Sequence, residues 1–430
     1  MITFDEIIPE IKIVLQEQTE NLKKIDRLII NRDLNGIVRL VVDEKFEDNA
    51  EVKEAIRLIG QRITAHLGPR FADKNNIMYE SSLDDLIKDV PNFALKDFPK
   101  VIIIDRLLAE SDWTNVSVVK PGTHRIVFYS IKGGVGRSTA LSMVSWALAE
   151  EGRKVMVLDL DLESPGLSSS LLPEEKCPAY GIVDWLIEDL VENSETVFPY
   201  IVALSDLSHN GAIQVVPAHG KDPGEYISKL GRVWMSKNKP LNSRELWQNR
   251  LNRLLDELEK KWKPDVVLID SRAGIDEVSS ACLSSLGAES ILLFAIDSTQ
   301  TWSGYKLLFH HWLRNYDSVR TIRERLQIVG ALIPELDQDE YIAGLCENAW
   351  NLFTDELYEP VPADEDEDAY FNFDKSDKDA PHFPLSIQGN RGLAVLPNLY
   401  SPLQQSAVKE KIYAIFGQII DHIKGIIANE

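Results

Sequence analysis

The sequence predicts an α/β fold: a mostly parallel sheet with helices on both faces, preceded by a small α/β unit over residues 1–120. Three observations carry this. Along residues 121–430, near-continuous apolar runs that read as buried strands alternate with helical patterns, as in a parallel sheet covered on both sides. A glycine-rich turn stands between the first of those strands and the first helix. Residues 1–120 carry helix and hairpin signals of their own.

In chain order, Asp5 to Lys23 reads as a helix, and Arg27–Ile30 and Val38–Val42 flank the turn pair Asn35-Gly36. Asn49 to Leu67 reads as a second helix and Val101–Ile104 as a buried strand, with Val119–Thr123 as a linker. No catalytic constellation stands out there, so a partner-binding or regulatory role is the expectation. Ile126–Phe128 then reads as a strand and Ala140–Glu150 as a helix. Lys154–Asp161, Pro264–Asp270, Ser290–Asp297 and Leu326–Ile333 are further strands. From Val408 to Ile427, Val408, Ile412, Ile415, Phe416, Ile419, Ile423 and Ile426 share one helical face. The other face mixes Lys409, Lys411 and Lys424 with Glu410 and Asp421, which suits packing on the sheet and argues against a membrane surface.

The turn is Tyr129-Ser-Ile-Lys-Gly-Gly-Val-Gly-Arg-Ser-Thr139. Gly133, Gly134 and Gly136 let the backbone bend around an anion, with N–H groups and the positive helix end facing it. Ser138 stands where a hydroxyl can ligate Mg²⁺, and Thr139 follows within reach of another phosphate. Such a loop binds a nucleoside triphosphate. It departs twice from the ordinary phosphate-loop spacing: Ile131 holds the place of the leading glycine, and Arg137 that of the usual lysine, while Lys132 opens the loop.

The string Lys132-Gly-Gly-Val-Gly-Arg-Ser-Thr139 resembles the deviant Walker A loop of the ParA/MinD-like P-loop ATPases, and the resemblance covers about residues 121–430. It implies ATP and Mg²⁺ as ligands, and an ATP-dependent homodimer in which Lys132 crosses to the partner's phosphates. It places Gly133, Gly134, Val135, Gly136, Arg137, Ser138 and Thr139 on the nucleotide. Asp159 and Asp270, with Ser138, would hold the metal ion. Asp161 would position or deprotonate the attacking water, with Glu163 as the alternative. Gly274 would donate its N–H to a γ-phosphate. In the segment His382–Leu385, Pro384 would lie beside the base. Where family members often place a base-reading asparagine after the late strand, this chain has Pro334-Glu-Leu; ATP is the expected nucleotide, with GTP as the alternative.

The net charge of −22 argues against direct nucleic-acid binding through a broad basic surface. Arg232, Lys237, Lys239, Arg244, Arg250 and Arg253 form a basic stretch that reads as a solvated helix face, with a protein-docking patch as the alternative. Asp364–Asp368 begins an acidic, polar insertion within about residues 359–380, read as a mobile surface loop. Cys177, Cys282 and Cys346 are scattered, and no segment has the length of a membrane span or the look of a signal peptide. These fit a reducing cytoplasm. The lack of any Cys-x-x-Cys pair argues against the iron–sulfur relatives of this fold.

Three functions follow in order of expectation. The first is a switch ATPase whose ATP-closed homodimer is read by partner proteins. The second is an ATP-binding scaffold with little hydrolysis, which Arg137 makes credible. The third is an ATP-dependent synthetase, which would need an acceptor pocket, or a tyrosine autokinase, which the dispersal of Tyr358, Tyr370, Tyr400 and Tyr413 disfavours.

Overall fold

The computed structural model describes residues 2–88, 90–109, 111–207, 210–239, 244–362, 369–389 and 409–428. The acidic run Asp364–Asp368, and Val408 of the last helix, lie outside the described residues. The chain divides into two compact units, one built mainly on Met1–Asn115 and the other on Val116–Lys239, Glu245–Leu313 and Asp317–Glu430.

In the first unit, helix α1 (Ile7–Glu17) is followed by strands β1 (Leu28–Arg32) and β2 (Val38–Asp43), helix α2 (Ala50–Leu67), and strands β3 (Ala72–Glu80), β4 (Asn92–Leu95) and β5 (Phe98–Asp105). The sheet order is β3-β2-β1-β5-β4. β1 and β2 pair antiparallel across the turn that Asn35-Gly36 announces. The Asp33 carboxylate accepts from the Asn35 and Ile37 amides, and Gly36 takes φ 82°. The asparagine at the head of α2 also behaves as its sequence suggests: Asn49 accepts from the Glu51 and Val52 amides. Ile7, Ile11 and Val14 of α1 and Ile56, Ile59 and Ile63 of α2 bury against Ile30, Leu40 and Ile103 of the sheet. The N-terminal helix is shorter than its pattern, stopping at Glu17 before a separate turn at Thr19–Leu22.

The second unit runs β6 (His124–Ser130), α3 (Arg137–Glu150), β7 (Lys154–Asp159), α4 (Ile182–Leu190), β8 (Ala203–Leu204), β9 (Ala212–Val216), α5 (Trp247–Trp262), β10 (Val266–Ala273), β11 (Ser290–Ala295), α6 (Thr299–Trp312), β12 (Leu326–Ile333), α7 (Gln338–Glu356), β13 (Leu385–Gln388) and α8 (Lys409–Ala428). Its eight strands lie in the order β13-β12-β11-β6-β10-β7-β9-β8. All neighbours are parallel except the short edge strand β8. Alternate residues of β6 face opposite layers. Ile126 and Phe128 join the core formed with α3 and α8, while Tyr129 meets Tyr305 of α6 with ring centroids 6.2 Å apart. α3 is buried almost all round, and α8 lays Ile412, Ile415, Phe416, Ile419 and Ile423 on the same core. Among the described residues no helix is long and apolar enough to cross a membrane.

The basic stretch is corrected by the structure. Arg250 is fully buried, its Nε donating to Asp189 at 2.8 Å. Asp189 also receives Arg253 at 2.9 Å and Lys237 at 3.1 Å, while Glu245 receives Arg253 and Lys239. Much of the stretch is therefore an internal ion-pair network and not a solvated face, because α4 brings an acid from some sixty residues away.

Candidate nucleotide site

β6 delivers the chain to the C-terminal edge of the sheet at Ser130, and α3 leaves from Arg137. The turn between them needs glycine twice: Gly134 has φ 76° and Gly136, the N-cap of α3, has φ 85°. No side chain caps α3, so its first-turn amides remain available as donors to an anion. Gly134, Val135, Gly136, Arg137, Ser138 and Thr139 line a cleft of about 390 Å³. Its opposite wall is Leu332, Ile387, Gln388 and Phe416.

Two acids stand beneath the loop in register, Asp159 ending β7 and Asp270 on the neighbouring β10. Both are buried. One oxygen of Asp159 accepts from the Gly166 and Leu167 amides at 3.2 and 3.1 Å; the other has no partner. Burial, with repulsion from Asp270 and Asp161, pushes the Asp159 carboxyl up to about 8. Burial also raises Asp161 and Asp270, opposed in each case by the Arg137 charge. Asp161 Oδ1 is likewise buried without a partner among the described residues, and the nearby Ser138 hydroxyl works with Arg137 to oppose the rise at Asp270. Orphaned carboxylate oxygens beside a hydroxyl form a hard-oxygen set that suits Mg²⁺. Ser138, Asp159 and Asp270 would hold the ion, which would neutralise phosphate charge when bound. Among the described residues no three His, Cys, Asp or Glu side chains close on a metal by themselves, so the remaining ligands fall to water and phosphate oxygens.

Arg137, which the resemblance places on the nucleotide, makes its contacts here with the acids. It is 7% exposed and turned down onto the acids: Nε donates to Asp270 at 3.0 Å, Nη1 to the Ser130 hydroxyl at 2.8 Å, and Nη2 lies 3.5 Å from Asp161. Lys132 is half-buried, and among the described residues its ammonium makes no hydrogen bond or ion pair. Gly274 has φ 94°, but its N–H donates to the Ser130 carbonyl at 2.9 Å and so does not face the cleft in this conformation. Its carbonyl accepts from the Tyr129 and Ser279 hydroxyls.

Pro384 is not among the residues that line the cleft. It is buried, and a Cβ on Gly330 would stand 3.4 Å from it. The proline packs on β12, and the residues that reach the cleft are Ile387 and Gln388 beyond it. Leu332, missed in the sequence, sits at the end of β12 with φ 54° and is 44% exposed. Left-handed backbone at a residue other than glycine is strained and clusters at functional sites. The loop bearing Asp161 is held on its outer side by Tyr226, whose hydroxyl donates to the Leu162 carbonyl at 2.7 Å. Nothing local in the sequence marks Tyr226, because it reaches the loop from a distant short helix.

A parallel sheet, a glycine turn opening into a helix at its C-terminal edge, and acids on the two adjacent strands define a P-loop NTPase. Residues 122–185 match the ParA family model, described as NUBPL iron-transfer P-loop NTPase. The chain is 50% identical over 44 residues to the cytosolic Fe-S cluster assembly factor NUBP2 homolog of Nematostella vectensis, covering 10% of this chain and 16% of that one. It is 40% identical over 79 residues to the iron-sulfur cluster carrier protein of Methanocaldococcus jannaschii, covering 18% of this chain and 26% of that one. The matches thus span a sixth to a quarter of those relatives. The MinD cell division protein of Aquifex aeolicus superposes with a TM-score of 0.41 at 17% identity, over 72% of this chain and 98% of that one.

Proposed function

We propose that this protein is a nucleotide-dependent switch: ATP with Mg²⁺ binds at the 132–139 loop, closes a homodimer that partner proteins read, and is slowly hydrolysed to reset it. One observation carries the reading. The loop's own cation, Arg137, is committed to Asp270 and Asp161, whereas the Lys132 ammonium has no partner among the described residues. A triphosphate bound there leaves charge that a second copy's Lys132 can meet. Asp161, with a buried unpartnered oxygen, is the carboxylate assigned to the attacking water; Glu163 is exposed and paired elsewhere.

Cluster carriage, which the relatives' names raise, is not proposed. Iron–sulfur clusters are held by cysteine thiolates, and here the three cysteines form no close sequence pair, with Cys282 and Cys346 buried. A scaffold that binds ATP without hydrolysis remains the second reading, favoured by the Arg137–Asp270 bond. Asp161→Ala separates the two. Under the switch reading it binds ATP as wild type does and loses turnover, since a water-positioning group acts in the transition state. Under the scaffold reading wild type and variant both fail to release phosphate.

A further inference from the structure

Arg272 lies two residues beyond Asp270, and Glu163 two residues beyond Asp161. The two meet: Arg272 Nη1 stands 2.6 Å from Glu163 Oε2, while Arg272 Nε lies 3.5 Å from Asp276. Asp276 caps the next helix by accepting from the Ser279 amide at 2.9 Å. One guanidinium therefore spans the 160–166 loop and the segment that follows β10. A planar fork can serve two acids at once, which a lysine's single ammonium does less well.

The loop is otherwise tied by backbone and by its outer flank. The Leu160 amide donates to the Asp270 carbonyl at 3.0 Å, the Ser164 amide to the Asp161 carbonyl at 3.2 Å, and Tyr226 holds Leu162. Arg137 bridges Asp161 and Asp270 from α3, and the Arg272–Glu163 pair adds a direct ionic tie between this loop and the end of β10. Its location decides its worth: the loop carries Asp161, and the β10 end leads through Ala273 into Gly274.

We infer that Arg272 is a positioning residue, which by gripping Glu163 fixes the loop that presents Asp161 and couples it to the β10–Gly274 segment. The inference rests on the hydrolytic reading above for its catalytic consequence, though not for the tie itself. Arg272 and Glu163 are 32% and 46% exposed, so the effect is modest, about fivefold at most for a partly solvated pair.

The test uses the full chain and the variants Arg272→Gln, Glu163→Gln, their combination, and Arg272→Lys. Amide exchange of residues 161–165 without nucleotide, and kcat and KM for ATP, are measured on each. Either single variant should speed exchange and lower kcat by up to about fivefold with little change in KM. The double variant should be no worse than either single, and Arg272→Lys should recover part of both effects. Unchanged exchange, or effects that simply add in the double variant, overturns the inference while leaving the hydrolytic reading intact. If wild type turns over no ATP, the hydrolytic reading falls and so does the positioning of Asp161, even where exchange shows the loop tied.

Discussion

The Arg137 guanidinium meets the Asp270 carboxylate beneath the phosphate loop, Nε to Oδ1 at 3.0 Å, with Asp161 3.5 Å from the same group. The cation at the usual lysine position thus compensates an acid cluster that would otherwise be buried and unpaired. Arg137→Ala removes that compensation. Breaking a buried pair costs about 3–5 kcal/mol, so chemical denaturation without nucleotide should show a loss of that order, with Arg137→Lys losing much less. Equal stability of wild type and Arg137→Ala would mean the acids carry no charge needing a partner.

Gly134 and Gly136 hold φ of 76° and 85°; a Cβ would meet nothing at Gly134 and only the Leu332 side chain at 3.8 Å at Gly136, so the obstacle to a side chain is backbone conformation and not crowding. Gly134→Ala and Gly136→Ala should each cost about 1–2 kcal/mol in unfolding and weaken ATP binding at least tenfold by moving the first-turn amides. Calorimetric titration with ATP reads the second effect directly.

Leu332, Ile387 and Phe416 wall the cleft on the side away from the phosphate loop. Leu332→Asp should lower affinity for ATP by about tenfold or more and leave inorganic tripolyphosphate nearly unaffected, because an apolar wall acts on base and sugar. Equal losses for both ligands would place Leu332 on the phosphates.

His382 is buried, its Nδ1 2.5 Å from the Tyr358 hydroxyl and its Nε2 3.2 Å from the Lys375 carbonyl. Burial lowers its pKa from the ordinary 6.5, outweighing the carbonyl and the nearby Asp377 and Asp374. The unfolded chain therefore takes the proton first as pH falls. This contribution to stability is complete above the unfolded value and is lost as pH drops below it, by at most about 1.4 kcal/mol per pH unit. Urea unfolding from pH 8 to 5 should show a shallower decline in His382→Gln than in wild type. His422, also lowered by burial, keeps its own share of the slope in both proteins.

What was legible in the sequence is what is contiguous. The phosphate loop, its strand and helix, the Asn49 cap and the Asn35-Gly36 turn each depend on a few neighbouring residues, and the structure has them where their spacing puts them. The apolar stripe of α8 told its packing face for the same reason. The failures concern partners far apart in the chain. Arg250 reads as surface charge until Asp189 arrives from α4, and the Arg137–Asp270 bond, 133 residues apart, has no local signal. Pro384 was placed by analogy of order along the chain. It packs beside Gly330 of β12, and Ile387 and Gln388 line the cleft.

The central claim is that Lys132 acts on another copy's nucleotide. Light scattering coupled to gel filtration of wild type and Lys132→Ala, each with no nucleotide, ADP and ATP with Mg²⁺, addresses it directly. Wild type should double its mass in ATP alone, whereas Lys132→Ala should keep its ADP affinity and one-chain mass throughout. The same wild-type mass in all three conditions, or an ATP-dependent dimer that survives Lys132→Ala, would contradict it.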